Sequence, residues 1–587
     1  MFDKLKPLVP YLRRYWKHLA WGGVAVILYN VIKVLIPVVI GHAIDDMQHG
    51  ITQAKVLNQA LRLLVIAALS AIFLYICRQV IIGASREIEF DLRNDIFANL
   101  ERQSPSYYHT HRTGDIMART TNDLNAVRML EGQVMYRDFF QFTLPGTEIV
   151  YLVLFKTFGI RAWIPSALLL LFGVALAWLS IVISKRLMAG ASVFLPAALF
   201  LTLCFGNALD ATHHWFSILA VMAGLAVMIQ DRSLARTAGA GGLCGLAACF
   251  TQSRGALAVL AMALFLVWEW RATKRHASWL ARRGVCLFAA FLAVSAPFIA
   301  YFIWRAGVKS FVDCTFGFPL RYYAAFNRNN LGVYMVDAPD LPWPLEAPAL
   351  GIWLLVHALL PLVYLLFFAR QAREAKQHPE EPWDRLTLLN LVGLSLFLAV
   401  ASAPNWFKVS SAALPALILL VWFVRSSSRF ARAARLLLWL AALAVAVVKP
   451  VTAQTGWRGT LETPVGRATL LESDRFLKAR WLLSRTRPRD FFLEAGDTDL
   501  YFLLDLRNPA TVSFLTPTDY TRPEQVQSVL DALERRQVRF VLWPVWLDLP
   551  EDNRRAGDHL RPLRANLRNA YHVVKTFPDG DQVWERK

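Results

Sequence analysis

Residues 163–186 read WIPSALLLLFGVALAWLSIVISKR. Twenty-two positions pass without a charge before Lys185 and Arg186 close the run. At 1.5 Å per residue a helix over this run reaches roughly 33 Å, enough to cross the roughly 30 Å apolar layer of a bilayer. The rest of the 587-residue chain repeats the pattern, with 56% hydrophobic and only 18% charged residues, which excludes an ordinary soluble enzyme. Further apolar runs occupy 20–41, 61–83, 191–206, 215–229, 237–250, 256–268, 284–304, 349–368, 386–403, 411–424 and 436–448. The expectation is a mainly α, polytopic transmembrane protein of about 12 helices.

The net charge of +20 comes from 63 Lys+Arg against 43 Asp+Glu. A nucleic-acid partner would explain it, but the basic residues gather in short segments between apolar runs, so the charge is read as membrane topology. From residue 163 on, alternate connections are basic: Lys185-Arg186, DRSLAR at 231–236, RATKRHASWLARR at 271–283, ARQAREAKQHPEEPWDR at 369–385 and RSSSRFARAAR at 425–435. Those between them are NALDATHH at 207–214, TQSRG at 251–255, the long segment 305–348 and APNW at 403–406. The first set is expected in the cytoplasm of a bacterial-type inner membrane. The second set, and everything after Lys449, is expected outside.

Six cysteines are too few for a disulfide scaffold, and five of them lie within apolar runs. The N-terminal stretch MFDKLKPLVPYLRRYWKHLAW leads into a run longer than a signal-peptide core, so it reads as a retained first helix. Residues 449–587 change to mixed composition. Strands are expected at FFLEAG (491–496), TVSFLT (511–516), VRFVLWPV (538–545), YHVVKTF (571–577) and DQVWER (581–586), with a helix at PEQVQSVLDALERRQ (523–537). That is a small α/β domain without a metal cluster, phosphate loop or nucleophile motif.

The polar stretch 85–128 contains Tyr107, Tyr108, Thr113-Gly114-Asp115-Ile116, Arg119 and Thr121-Asn122-Asp123-Leu124. It resembles the first intracellular loop of ABC exporters, and residues 1–128 resemble the first two helices and coupling loop of that family's transmembrane domain. The resemblance implies that Gly114, Asp115, Arg119 and Asp123 dock on a nucleotide-binding subunit. The chain contains no Gly-Lys pair, hence no G-x-x-x-x-G-K-[ST] phosphate loop and no ATP site of that kind. Any transporter role needs a partner subunit.

After the junction the text becomes EGQVMYRDFFQFTLPGTEIVYLVLFKTFGIRAW (131–163), then LDATHHWFSILAVMAGLAV (209–227) and GLCGLAACFTQSRGALAVL (242–260). This resembles integral-membrane, GT-C type glycosyltransferases of the dolichyl-phosphate-mannose protein mannosyltransferase and aminoarabinose transferase group. It implies a transmembrane domain over 131–448, an outer α/β domain over 449–587, and sugar transfer from a polyprenyl-phosphate donor within the membrane lipid. Such chemistry needs a carboxylate base and cationic or metal help for the leaving phosphate.

Asp138 fits the family's acidic first outer loop, as base or metal ligand, with Glu148 following on a short helix. Asp210, His213 and His214 share one face if the stretch is helical, and are of a type to bind a divalent metal ion or a phosphate. Arg254 suits a lipid phosphate. Arg321, Tyr322 and Asn330 suit a sugar or pyrophosphate. One departure weighs against activity: the family's early Asp-Glu pair falls where the exporter-like segment stands. A transporter subunit and a non-catalytic membrane scaffold are the rival readings.

The two resemblances also make a topological demand. Lys4, Lys6, Arg13, Arg14 and Lys17 hold the N-terminus inside, so 85–128 is cytoplasmic. Either the stretch 139–159 crosses the membrane despite Pro145, Gly146, Glu148 and Lys156, or one end of the chain gives way; the crossing is the favoured expectation, and it leaves Asp138 inside and apart from Asp210.

Overall fold

The structure is a computed structural model that describes residues 124–207, 209–323, 346–401, 406–426, 428–455, 457–518, 520–548 and 558–587, with isolated positions 65, 66 and 70. The chain divides into two compact units, Met1–Tyr108 and His109–Lys587. The second unit holds a helical bundle and the C-terminal domain. Gly114, Asp115, Arg119, Asp123 and Asn330 lie outside the described residues.

Every apolar run from 163 on is helical, in whole or in large part. Helix α1 is Gly146–Phe158, α2 Trp163–Ser184, α3 Leu195–Cys204, α4 His213–Met228 and α5 Leu234–Phe250. Then come α6 Gln252–Thr273, α7 Ala277–Ala306, α8 Leu350–Glu374, α9 Trp383–Val400, α10 Leu414–Phe423 and α11 Arg429–Thr455. Among the described residues, α2, α6, α7, α8, α9 and α11 are long and apolar enough to cross a membrane. The shorter α4 is the hub. Twelve of its sixteen residues are buried, so it is apolar on all sides because protein surrounds it on all sides. By contrast, α7 buries only Leu287, Ser295 and Phe302, and its remaining apolar surface fits lipid.

Small residues set the closest helix approaches. A Cβ placed on Gly241 would fall 2.1 Å from Leu287 O, and one on Gly245, a turn later, 2.5 Å from Phe291 O. Without side chains at these positions, α5 lies backbone to backbone on α7, the small-xxx-small device of membrane helices.

The basic connections gather at one end of the bundle. Arg232 forms ion pairs with Glu269 (3.3 Å) and Asp384 (2.7 Å), Arg425 pairs with Glu381, and Arg385 donates to Arg186 O at 3.2 Å. Connections 251–255, 209–214 and 406–411 gather at the other end, as the alternation predicts.

The C-terminal domain carries a hairpin, β1 Gly459–Thr463 with β2 Gly466–Leu470, and a four-stranded sheet of order β3-β4-β6-β5. These strands are β3 Phe492–Glu494, β4 Phe540–Trp543, β5 Tyr571–Thr576 and β6 Gln582–Arg586, with β3 and β4 parallel and the other neighbours antiparallel. Helices α12 Ser473–Leu483, α13 Pro523–Arg535 and α14 Arg561–Ala570 cover it. The expected strand 511–516 is not one: the segment is bends and coil, and Leu515 N to Ala495 O (2.7 Å) is its backbone bond to the β3 end.

The expected crossing at 139–159 is also not made. Its helical part, α1, is 13 residues and so about 20 Å long, too short to span. Both flanks meet the C-terminal domain: Phe140 N donates to Thr511 O at 3.0 Å and Ala162 N to Val465 O at 3.1 Å. The helical segment 124–130 joins them there. Arg128 Nη2 donates to Ala510 O at 2.8 Å, Arg507 pairs with Glu131 at 2.7 Å, and Leu124 packs in a cluster with Leu461, Phe492 and Leu542. Residues 124–162 therefore stand on the C-terminal domain's side throughout, and Asp138 is not separated from it.

Candidate functional site at the end of the helical bundle

Three connections and the 132–148 segment build this end. Gln252 Nε2 donates to Phe142 O at 3.0 Å, and Tyr151 OH on α1 donates to Ala211 O at 3.1 Å, so α1 is stitched to both the α3–α4 and α5–α6 turns. Asp210, buried, accepts from Thr212 Oγ1 at 3.0 Å. Thr212 is extended and caps α4, which begins only at His213. The expected Asp-His-His helical face is thus not formed, because Asp210 precedes the helix. His213 and His214 instead lie ring against ring at 4.1 Å between centroids, and His214 meets Phe407 edge-on at 4.9 Å.

Arg254 is 1% exposed and turned inward: Nη1 donates to His214 O (3.0 Å) and Ser217 Oγ (3.4 Å), and Nη2 to Ser411 Oγ (2.7 Å). It pins α6 to α4 and to the short helix Trp406–Ser411, and those donors are spent on protein rather than held out for a lipid phosphate. Two further cations that sequence reading passed over are Lys408 and Lys449. Half-buried Lys408 acts electrostatically on both imidazoles. Lys449 donates to Thr202 O at 3.4 Å near Cys204, which hydrogen-bonds Ser410. The signal for them was available: each is a cation on the side of the bundle where the charge rule leaves few.

Glu148, in the first turn of α1, is 1% exposed and accepts from Gln141 Nε2 at 3.1 Å. Burial raises its carboxyl to about 7, against the opposing effect of that hydrogen bond. Asp138 closes a tight turn instead of pointing at Asp210. Its Oδ2 accepts from Val134 N at 2.7 Å, and Arg137 grips both carboxylate oxygens at 2.9 Å. The Arg137 bonds hold it below the usual carboxylate range. The turn is tight enough to force Tyr136 to φ +69°, anchored by Tyr136 OH to Thr143 O at 2.6 Å.

Arg321 is exposed and Tyr322 half-buried on the turn Pro319–Tyr323. Tyr322 shares with Phe318 and Phe140 the faces around Arg522, whose Cζ lies 5.4–6.0 Å from the three ring centroids. The structure thus brings Asp210, His213, His214, Arg254 and Glu148 to one end, and places Asp138 and Tyr322 where that end meets the C-terminal domain. Among the described residues no three His, Cys, Asp or Glu side chains are grouped as a metal site would require.

A family model described as the ABC transporter transmembrane region matches residues 19–191, running past the junction and through α2. The multidrug resistance-like ATP-binding protein MdlA of Escherichia coli is 32% identical over 124 residues, 21% of each chain. The probable multidrug resistance ABC transporter ATP-binding/permease protein YheI of Bacillus subtilis is 33% identical over 160 residues, 27% of this chain and 26% of that protein. The chain thus spans about a quarter of the length of these curated relatives. Among solved structures, the crystal structure of ArnT from Cupriavidus metallidurans bound to undecaprenyl phosphate is similar with a TM-score of 0.47 and 12% identity, over 80% of this chain and 94% of that one.

Proposed function

We propose that the chain is an integral-membrane glycosyltransferase that takes a sugar from a polyprenyl-phosphate donor at the outer face of the inner membrane, beside its C-terminal domain. The observation that carries this reading is the polar cluster at the end of the bundle opposite the basic connections: Asp210 with His213 and His214, and the cations Lys408 and Lys449. Such groups at membrane depth are costly unless they serve a function. Asp210 takes the proton of the acceptor hydroxyl as its oxygen bonds to the anomeric carbon. The anomeric carbon–phosphate oxygen bond breaks, and Lys408 and Lys449 stabilise the phosphate that leaves. Arg254 positions the His214 and Ser411 segments, and Glu148 and Asp138 shape the neighbouring loop.

The test is transfer from a polyprenyl-phosphate hexose by protein in lipid nanodiscs. Asp210→Asn should lower kcat about 100-fold, the scale of losing a general base, and Lys408→Ala should raise KM. Wild-type turnover in Asp210→Asn would end the assignment. The match over residues 19–191 favours a second reading, a transporter membrane subunit whose Gly114, Asp115, Arg119 and Asp123 engage a nucleotide-binding partner. Co-purification of an ATPase subunit that is lost in Asp115→Ala would favour it.

A further inference from the structure

Where the 124–138 segment meets the C-terminal domain, the two enclose a cavity of about 610 Å³, of a size to hold a small ligand. Its wall carries five arginines, Arg128, Arg137, Arg507, Arg535 and Arg536, against two carboxylates, Glu131 and Asp138. Both carboxylates are engaged, Glu131 by Arg507 and Asp138 by Arg137. Among the described residues no carboxylate pairs with Arg128, Arg535 or Arg536.

Arg128 is the least ordinary of the three. It is 3% exposed, its guanidinium lies over the Phe139 ring at 5.3 Å, and Nη2 is fixed by Ala510 O at 2.8 Å. Nη1 is buried without a partner. A buried guanidinium held in place with a donor unused lacks the anion that would complete it. Burial, opposed by the nearby Tyr501 and Glu131, takes Arg128 down to about 10, which still leaves it charged at neutral pH. Arg535 and Arg536 end α13 and are exposed, so they can close over a ligand, and Arg536 already rests on the face of Phe491 at 4.8 Å.

We propose that this cavity binds a phosphorylated saccharide, the arginines taking the phosphate and Gln133, Thr511 and Ser528 the sugar hydroxyls. Inorganic phosphate would occupy only a small part of the space. Apolar residues such as Leu124, Val127 and Phe491 also line it, but the five arginines and the polar groups make up most of the wall, which suits a sugar phosphate better than an acyl chain. Thr511 and Ser528, joined at 2.9 Å, place two hydroxyls side by side at the rim. The site lies apart from the Asp210 cluster, and the proposal stands whether or not the chain transfers sugar.

The experiment is calorimetric titration of the full chain in nanodiscs with glucose 6-phosphate, glucose and inorganic phosphate. Glucose 6-phosphate should bind at least tenfold more tightly than either of the others. That affinity should fall at least tenfold in the Arg535→Ala/Arg536→Ala double variant, whose exposed positions leave the fold intact, and fall again in 0.5 M salt. Glucose binding as well as its phosphate ester, inorganic phosphate binding as well as the ester, absence of binding, or undiminished binding in the double variant would each overturn the proposal. Unchanged Asp210-dependent transfer in the double variant keeps this test separate from the transferase reading.

Discussion

Replacing Gly255 with alanine tests the packing that holds the bundle end together. A Cβ there would sit 2.3 Å from Ala248 N and 2.5 Å from both Ala248 Cα and Cys244 O, all on α5. These are main-chain or helix-fixed atoms with no rotamer to escape through. Restoring ordinary contact near 3.4 Å requires α5 and the start of α6 to part by about 1 Å, an over-packing cost of about 2–3 kcal/mol. Arg254 moves with α6, so its 2.7 Å bond to Ser411 Oγ would open to about 3.7 Å, beyond hydrogen-bond range. Thermal unfolding of detergent-solubilised protein should drop by about 2–3 °C, while Gly284→Ala, where nothing lies within 4 Å, should leave it unchanged or slightly higher. A double-mutant cycle adds the sharper readout. Ser411→Ala alone should cost about 1.5–2 kcal/mol for a charge-assisted bond, but almost nothing in the Gly255→Ala background, where that bond is already open. Additive costs, or a Gly255→Ala protein that melts with the wild type, would refute the reasoning.

Glu148 gives a pH signature. Its acid group is raised from 4.5 in the open chain to about 7 in the folded one, so folding favours the neutral form and stability falls as pH rises through that window. Relative to Glu148→Gln, the wild type should lose about 3 kcal/mol between pH 4.5 and 8, measured by urea unfolding at each pH; parallel pH profiles for the two proteins would count against the burial of this carboxyl. Cysteines at Lys274 and Thr460, at opposite ends of the bundle and both exposed, should label with impermeant reagent only from the cytoplasmic and only from the outer face respectively; labelling from one face would overturn the two-ended arrangement. With no Gly-Lys phosphate loop, the purified chain should show no ATP hydrolysis and no ATP-induced thermal shift.

Helices were readable because a lipid-crossing segment must satisfy its own backbone and hide its charges, both local properties of sequence. Each run from 163 to 448 accordingly has its helix, and the basic connections cluster as their charge required. What failed to show was non-local. Nothing near Arg128 announces Ala510, so the helical segment 124–130 read as an isolated loop element rather than as part of the C-terminal domain's surroundings. TVSFLT has the alternation of a strand, yet Phe140 and Ala495 take single bonds from it in place of a ladder. The β1–β2 hairpin was passed over because its short turn, with Gly466 at φ +120°, is embedded in a charged stretch. At the candidate site orientation was not legible: Arg254 suits a lipid phosphate by type but turns inward to protein acceptors, and the shared face of Asp210, His213 and His214 required a helix that starts only three residues after Asp210.

The grip of Arg128 on Ala510 spans 382 residues of sequence. During synthesis the 124–145 segment leaves the ribosome long before the domain it binds. At about 5–20 residues per second the delay is roughly 20–80 s. Through that interval the guanidinium of Arg128 and the main-chain N–H of Phe140 have no native acceptor, while helices α2 to α11 are still to be inserted. Assembly of this protein must therefore close from its two distant ends last, and a chain stalled or truncated before residue 510 would leave an arginine-bearing segment exposed at the membrane surface as a mark of incomplete manufacture.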